Sequence, residues 1–209
     1  MSKPWSNRRL ALLGNTIEFY DLYLYTHLAI IINQKFFPGV PSDHFLLKGF
    51  SVMNLYLFAP MAAIAWGMIG DLQGRKKVLL YSSFVMSIVT FFIAFLPEYN
   101  WWSEGYGFVS IALLVVLRMI QGIAMAGEPL SAGLYAIEDS KDAEKEMPRW
   151  VANITATEMV GGIFALLFAY ISLNYLTTYW GGAWRIPFIF AFFSVGVTYF
   201  IRTRLQETE

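Results

Sequence analysis

The sequence of 209 residues contains no cysteine, only two histidines and few charged side chains. Without cysteine, the chain has neither a disulfide framework nor a thiolate metal site. Charged residues make up 14% of the chain and apolar residues 57%, whereas a soluble domain has roughly 25% charged residues. Fifteen basic and fifteen acidic residues cancel to a net charge of zero, so no basic surface for nucleic acid is expected. This composition indicates an integral membrane protein in contact with the lipid bilayer.

The apolar residues occur in blocks that are long enough to cross a bilayer. A helix needs roughly 20 residues to span about 30 Å of hydrocarbon. Six segments meet this requirement, at about residues 10–32, 50–70, 78–96, 108–136, 151–176 and 184–201. The fourth is long enough to tilt or project from the bilayer, and Pro129 is expected to kink it. We therefore predict an all-α membrane protein in which residues 1–209 form a single domain of six transmembrane helices.

The loop charges predict the orientation of these helices. Lysine and arginine are concentrated before the first segment and after the second, fourth and sixth segments. Eleven lie on that side: Lys3, Arg8, Arg9, Arg75, Lys76, Lys77, Lys141, Lys145, Arg149, Arg202 and Arg204. The opposite side has Lys35, Lys48 and Arg185. Because positive loops stay in the cytoplasm, both termini are expected to be cytoplasmic.

Polar residues interrupt the first predicted span, which reads GNTIEFYDLYLYTHLA. Glu18 and Asp21 are three residues apart, so both carboxyl groups are expected on one helix face, with Asn15 three residues before Glu18. Ionisable groups inside a membrane are usually functional, and a pair of buried acids suits the loading and release of a proton. In the alternative, both acids pair with Arg118 or with backbone donors and only hold helices together.

The fourth predicted span carries a second polar stripe. At 100° per residue, Arg118, Gln121 and Glu128 lie on one side of an otherwise apolar helix. Arg118 suits a substrate carboxylate or a proton-carrying acid, and the alternative is a static arginine–glutamate pair. Glu158 in the fifth span is a third intramembrane acid, either a functional group or a partner for Arg118.

The connection between the second and third spans reads GMIGDLQGRKK. Gly67 and Gly74 allow close packing and a tight turn, and Asp71 stands four residues before Arg75. This loop is either a simple orientation signal, with Arg75 and Lys76 anchoring it in the cytoplasm, or a charge-paired latch that forms in only one conformational state.

These motifs together resemble the N-terminal half of a major facilitator superfamily transporter. The loop fits the superfamily pattern G-x-x-x-D-x-x-G-R-[KR]-[KR]. GNTIEFYD, RMIQG and WRIPF resemble motifs of its metabolite:proton symporters, which include proline/betaine permeases. The resemblance extends in order from residue 14 to residue 208. The chain departs from it at Ala59, where these symporters usually have an arginine.

The resemblance implies proton-driven uptake by alternating access between two six-helix halves in the cell inner (plasma) membrane. Asn15, Glu18, Asp21, Arg118, Gln121, Glu128 and Glu158 are then the candidate proton- and substrate-binding residues. Gly67, Asp71, Gly74, Arg75 and Lys76 are the candidate cytoplasmic gate. The expected partners are protons, a small zwitterionic or carboxylate metabolite, and a second six-helix half or a second copy of the chain. No cofactor is expected beyond the proton gradient, and no metal site.

Two further hypotheses compete with a working half-transporter. Because the resemblance covers only the first six helices, the chain is alternatively a truncated membrane remnant that transports nothing. An enzyme is the weakest alternative, since the sequence has no HExxH or G-x-S-x-G motif and no cysteine nucleophile.

Overall fold

The computed structural model describes residues 4–38, 58–101, 107–127, 143–176 and 181–203. Six α-helices lie within these ranges: α1 (Pro4–Phe36), α2 (Ala59–Gln73), α3 (Arg75–Phe95), α4 (Gly107–Met125), α5 (Ala143–Ile171) and α6 (Ile186–Thr203). A π-helical turn at Ser172–Leu176 extends α5, and a 3₁₀ turn at Ala183–Arg185 leads into α6. The described residues contain no β-strand, which confirms the predicted all-α class for this part of the chain.

Four of the described helical segments are long and apolar enough to cross a membrane: Arg75–Phe95, Gly107–Met125, Met147–Leu176 and Ala183–Phe200. They correspond to the third to sixth predicted spans. The first helix is long enough but carries Asn15, Glu18 and Asp21 in its middle, and α2 has 15 residues. Among the six helices of the described residues, four are therefore candidate spans.

The fourth predicted span, at about 108–136, is described by the structure only as far as residue 127. The helix ends at Met125, and Ala126 and Gly127 form a turn. The backbone N–H of Gly127 bonds to the carbonyl of Ala124 rather than to that of Ile123, which closes the last turn more tightly. Residue 129 is proline, which has no N–H to donate to the Met125 carbonyl, so the sequence itself opposes continuation. The predicted kink at Pro129 lies outside the described residues.

The helices pack around α1 and α3. The first helix packs most extensively against α5 and then against α6, whereas α3 packs against α6 and α4. The short α2 rests on α3 and α4. A buried stripe along α1 consists of residues four apart, which place their side chains on one face. Its members are Tyr20, Leu24, Leu28, Ile32 and Phe36.

Small residues bring α5 close to α1. Gly161, Ala165 and Ala169 are four residues apart and buried against α1. A Cβ atom at Gly161 would lie 2.5 Å from the Thr16 carbonyl oxygen, so only glycine permits this backbone approach. Such contacts between small residues are typical of helix packing in membranes, where lipid offers no hydrophobic drive for association.

Candidate functional site

The two acids in the middle of α1 are buried and face α3. Glu18 and Asp21 are 2% and 0% exposed. Oε1 of Glu18 accepts a 2.7 Å hydrogen bond from Ser83 Oγ, and Oδ2 of Asp21 accepts one of 2.6 Å from Thr90 Oγ1. The third helix therefore supplies one hydroxyl group for each acid.

The contact between Glu18 and Ser83 is suited to either protonation state. Ser83 Oγ lies 2.7 Å from Glu18 Oε1 and 2.8 Å from the Leu79 carbonyl oxygen. A serine hydroxyl has one hydrogen but also accepts. When that hydrogen points to Leu79, a protonated Glu18 donates to Ser83; when it points to Glu18, an ionised carboxylate accepts. The serine therefore serves the acid with and without a proton.

Arg118 and Gln121 bring α4 into the same interior. The guanidinium group lies 3.7 Å from the centroid of the Tyr25 ring, a favourable cation–π position. Its Nη1 donates a 2.6 Å hydrogen bond to Gln121 Oε1, and Gln121 Nε2 donates a 2.9 Å hydrogen bond to Asp21 Oδ2. Because a guanidinium group only donates, the amide oxygen must face Arg118 and the amide nitrogen must face Asp21.

Asp21 has one oxygen with two donors and one with none. Thr90 and Gln121 both donate to Oδ2. Oδ1 is buried and receives no hydrogen bond from the described part of the chain. A buried carboxylate oxygen without a partner is costly, whereas it is the natural position for a bound proton. Glu18, Asp21, Ser83, Thr90, Arg118 and Gln121 together form what we call the central cluster.

Asn15 does not belong to the central cluster, although the spacing predicts that it shares a face with the two acids. Its Nδ2 donates to Thr157 Oγ1 at 2.9 Å and lies 3.4 Å from the Ile154 carbonyl, so it faces α5. Three-residue steps turn by about 300°, so Asn15 and Asp21 differ by about 120° around the helix. The shared-face prediction fails for Asn15 because of this drift.

The remaining candidate acids lie elsewhere. Glu158 is half-buried on α5, and no hydrogen bond or ion pair joins it to Arg118 within the described ranges. The helix α5 packs mainly against α1 rather than against α4, and the role of Glu158 stays a prediction. Glu128 lies outside the described residues.

The predicted gate residues form a tight turn between α2 and α3. Gly74 joins the helices with φ 92° and ψ 147°, a conformation that is essentially restricted to glycine. Asp71 and Arg75 then form a 2.6 Å ion pair across this turn. Arg75 also covers Gly70, where a Cβ atom would meet its side chain. Gly67 has open space around its Cβ position, and Lys76 is half-buried.

Comparison with known proteins now identifies the family. A family model described as sugar (and other) transporter matches residues 9–209. The chain belongs to this family of the major facilitator superfamily. The resemblance seen in the motifs is thereby confirmed.

Three transporters whose names state their substrates are similar to this chain. The chain is 30% identical over 203 residues to the proline/betaine transporter of Escherichia coli, covering 95% of this chain and 39% of that protein. It is 32% identical over 215 residues to the shikimate transporter of Escherichia coli, covering 96% of this chain and 46% of the relative. The glycine betaine/proline/ectoine/pipecolic acid transporter of Dickeya dadantii is 30% identical over 202 residues, with shares of 95% and 39%. The chain therefore spans less than half the length of these transporters.

A second charged cluster lies at the end of the transporter bundle opposite the α2–α3 turn. Glu98 Oε1 accepts from Arg185 Nη1 at 3.0 Å and from Trp184 Nε1 at 3.1 Å, while Oε2 lies 3.2 Å from Lys35 Nζ. Arg185 Nη2 also donates to the Leu96 carbonyl at 2.8 Å. This terminal ion cluster (Lys35, Glu98, Trp184 and Arg185) ties the ends of α1 and α3 to the start of α6.

The terminal ion cluster borders a cavity of about 470 Å³ that is separate from the central cluster. Burial acts to raise the pKa of Glu98, but the hydrogen bond from Trp184 and the cations Lys35 and Arg185 hold this pKa below its ordinary value. The carboxylate is therefore ionised near neutral pH and stabilises the joined helix ends.

Sequence reasoning missed the partners of both clusters. Ser83 and Thr90 stand on one face of α3, with Ser87 four residues after Ser83, and all three are buried. This stripe of hydroxyl side chains at helical spacing was the available signal. In the sequence, Lys35 and Arg185 are recognisable only as loop charges. No group of three or more potential metal-binding side chains occurs among the residues that the structure describes.

Proposed function

We propose that this chain is the N-terminal six-helix half of a proton-coupled symporter for a small zwitterionic or carboxylate metabolite. The observation that carries the proposal is the buried chain of hydrogen bonds from Arg118 through Gln121 to Asp21, in the interior of a transporter-family bundle. Charged groups in this position are costly in a membrane and are kept for transport pathways.

The geometry of Asp21 argues for proton binding rather than for a static link between helices. A purely structural aspartate would have donors on both oxygens, as Glu98 does in the terminal ion cluster. Asp21 instead keeps Oδ1 without a partner among the described residues. Glu18 adds a second acid whose serine partner suits either protonation state. We propose that a proton exchanges at these two acids during the transport cycle.

The substrate class follows from Arg118. Its guanidinium group matches the planar geometry of a carboxylate. Proline, betaine and shikimate, which appear in the names of the relatives, each carry one carboxylate. Ala59 stands where the related symporters usually have an arginine. With one cation fewer, a zwitterion such as betaine is the preferred substrate over a dicarboxylate.

The proposed mechanism is alternating access in the inner membrane, powered by the proton gradient and needing no cofactor. All six helices span the bilayer in this proposal, with both termini in the cytoplasm, as the distribution of lysine and arginine favours. Gly67, Asp71, Gly74, Arg75 and Lys76 form the cytoplasmic gate, which opens as the two halves rock. The second half is supplied by further polypeptide or by a second copy of the chain, because one bundle provides a single wall of the path.

Uptake measurements test this proposal. Vesicles containing the protein are supplied with external labelled proline, glycine betaine or α-ketoglutarate, with and without an inward proton gradient. Gradient-dependent uptake that is lost in both Asp21→Asn and Arg118→Ala supports the proposal, and Gly196→Ala is the control because its Cβ position meets open space. Absence of uptake by the native protein would instead favour the non-transporting hypothesis. Uptake that survives both substitutions contradicts the site assignment, and tighter binding of α-ketoglutarate than of betaine contradicts the substrate preference.

A further inference from the structure

The cavity beside the terminal ion cluster lies where two candidate spans end. The span on α3 ends at Phe95, and the span that includes α6 begins at Ala183. Ala94 and Phe95 line the cavity from α3, and Ile189 lines it from α6. Lys35, in the last turn of α1, lines it as well. Because the ends of a span lie at the border between hydrocarbon and water, this cavity is at the depth of lipid head groups.

The charged residues at the cavity leave one positive charge unbalanced. Among the lining residues that the structure describes, Lys35 and Arg185 are cations and Glu98 is the carboxylate. Arg185 is buried and donates to both Glu98 and the Leu96 carbonyl, so its charge is used within the protein. The Lys35 side chain is 38% exposed, and its Nζ lies 3.2 Å from Glu98 Oε2. An ammonium group has three hydrogens, so Lys35 can keep this contact and also donate to an external oxygen.

An exposed aromatic strip continues from the cavity toward the middle of the two spans. Phe95 and Phe91 are one turn apart on α3, both are exposed, and their ring centroids are 4.8 Å apart. The Phe91 ring also lies 5.0 Å from the ring of Phe192 on α6. Exposed apolar surface of this kind marks contact with lipid in a membrane protein. The site therefore combines a cation at head-group depth with an apolar track beside it.

We propose that this cavity binds one anionic phospholipid, with its phosphate group on Lys35 and an acyl chain along Phe95 and Phe91. Basic pockets between transmembrane helices are suited to anionic head groups. The negative charge of the lipid balances the excess charge at Lys35, and its hydrocarbon covers the aromatic strip that a free phosphate ion would leave bare. The inference goes beyond the proposed function and does not depend on it, because the cavity is separate from the central cluster.

A zwitterionic phospholipid fits this cavity less well than an anionic one. Its choline or ethanolamine cation would have to be balanced by Glu98, the carboxylate of the lining. Both oxygens of Glu98 already have partners, since Oε1 accepts from Arg185 and Trp184 and Oε2 lies beside Lys35. The additional cation would therefore lie among like charges, which repel it. Charge complementarity favours a lipid with a net negative charge.

The test measures lipid binding to the intact, delipidated protein in detergent by native mass spectrometry. Phosphatidylglycerol and phosphatidylcholine with the same acyl chains are titrated, and the Kd of the first bound lipid is compared. The native protein should bind phosphatidylglycerol about fivefold more tightly, which is the effect expected of one lysine near an anionic head group. An excess of inorganic phosphate should not displace the lipid, because the free ion makes no contact with the aromatic strip.

Three variants assign this preference to Lys35. Lys35→Met keeps the length of the side chain and removes its charge, so the two lipids should bind within about twofold of each other. Lys35→Arg keeps the charge and should retain the preference. Lys77→Met is the matched control, because it removes the same charge from an exposed lysine at the other end of α3, and it should behave like the native protein. If Lys35→Met does not fold, Lys35→Gln takes its place with the same expected result.

Several results would overturn the inference. Equal affinity of the native protein for both lipids, or a preference that persists in Lys35→Met, shows that no anionic lipid is held at this lysine. Loss of the preference in Lys77→Met shows a general effect of surface charge rather than a site. Displacement of phosphatidylglycerol by inorganic phosphate means that the cavity takes a free anion instead of a lipid. Loss of the preference in Lys35→Arg also contradicts the proposal, because the positive charge would then not be what binds.

Discussion

Thr90 on α3 and Asp21 on α1 are joined by a hydrogen bond of 2.6 Å, and neither residue is exposed. On α3, the neighbouring Val89 and Ile93 pack into the apolar core. The threonine hydroxyl therefore holds the carboxylate in the position that Gln121 reaches from α4.

Thr90→Val is expected to destabilise the protein by about 1–3 kcal/mol, because it leaves a buried acceptor with one donor fewer while preserving the side-chain shape. Thr90→Ser keeps the hydroxyl and should retain most of the stability. The free energy of unfolding in detergent distinguishes them. Equal stability of the valine and serine variants would show that the hydrogen bond contributes nothing.

The central residues of this site could be predicted from the sequence, and their partners could not. Glu18, Asp21 and Arg118 are conspicuous because ionisable residues rarely occur in apolar helices. Ser83 and Thr90 are not, since serine and threonine often bond to a carbonyl of their own helix, as Ser82 does with Leu79. Only the neighbouring helix decides whether such a hydroxyl also serves a distant acid.

Helix ends and helix faces are also difficult to predict from the sequence. The end of α4 depends on a turn at Ala126 and Gly127 that packs against α2, where Trp66 donates a 2.7 Å hydrogen bond to the Ile123 carbonyl. This carbonyl lacks its usual helical donor, because the N–H of Gly127 bonds to Ala124. A tertiary contact of this kind leaves no periodic signal in the sequence.

The two motif glycines Gly67 and Gly74 are expected to respond differently to alanine. Gly74→Ala places a Cβ atom on a residue with φ 92° and ψ 147°, which should cost about 1–3 kcal/mol and disturb the ion pair between Asp71 and Arg75. Gly67→Ala meets no atom within 4 Å and should leave the melting temperature unchanged. Thermal unfolding of both variants checks this. A stable Gly74→Ala would show that the turn has an alternative conformation open to other residues.

Gly161→Ala is expected to separate α1 from α5. The new Cβ atom would lie 2.5 Å from the Thr16 carbonyl oxygen and 2.9 Å from the Tyr20 amide nitrogen, and backbone atoms cannot rotate away as side chains do. Overpacking of this kind costs about 1–3 kcal/mol. Gly196→Ala on α6 is the control, since its Cβ position is open and alanine favours the helix. If the two variants unfold at the same temperature, the close contact between α1 and α5 is not formed.

The terminal ion cluster predicts a specific effect of pH on stability. Glu98→Gln retains the side-chain shape but leaves Arg185, which is 6% exposed, without its carboxylate, and this should cost about 3 kcal/mol. Lys35→Met should cost much less, about 0–1 kcal/mol, because Lys35 is more exposed and its pair is screened by solvent.

The sign of the pH effect follows from the lowered pKa of Glu98 in the folded protein. Because the unfolded value is about 4.3, the carboxylate contributes its full stabilisation above that pH, and the contribution is lost as pH falls through the lower folded pKa. The difference in melting temperature between the native protein and Glu98→Gln should therefore be constant near neutral pH. Below about pH 4 it should shrink as the carboxylate takes up a proton. A difference that stays the same down to pH 3, or that widens in acid, would mean that Glu98 does not stabilise the bundle through its charge.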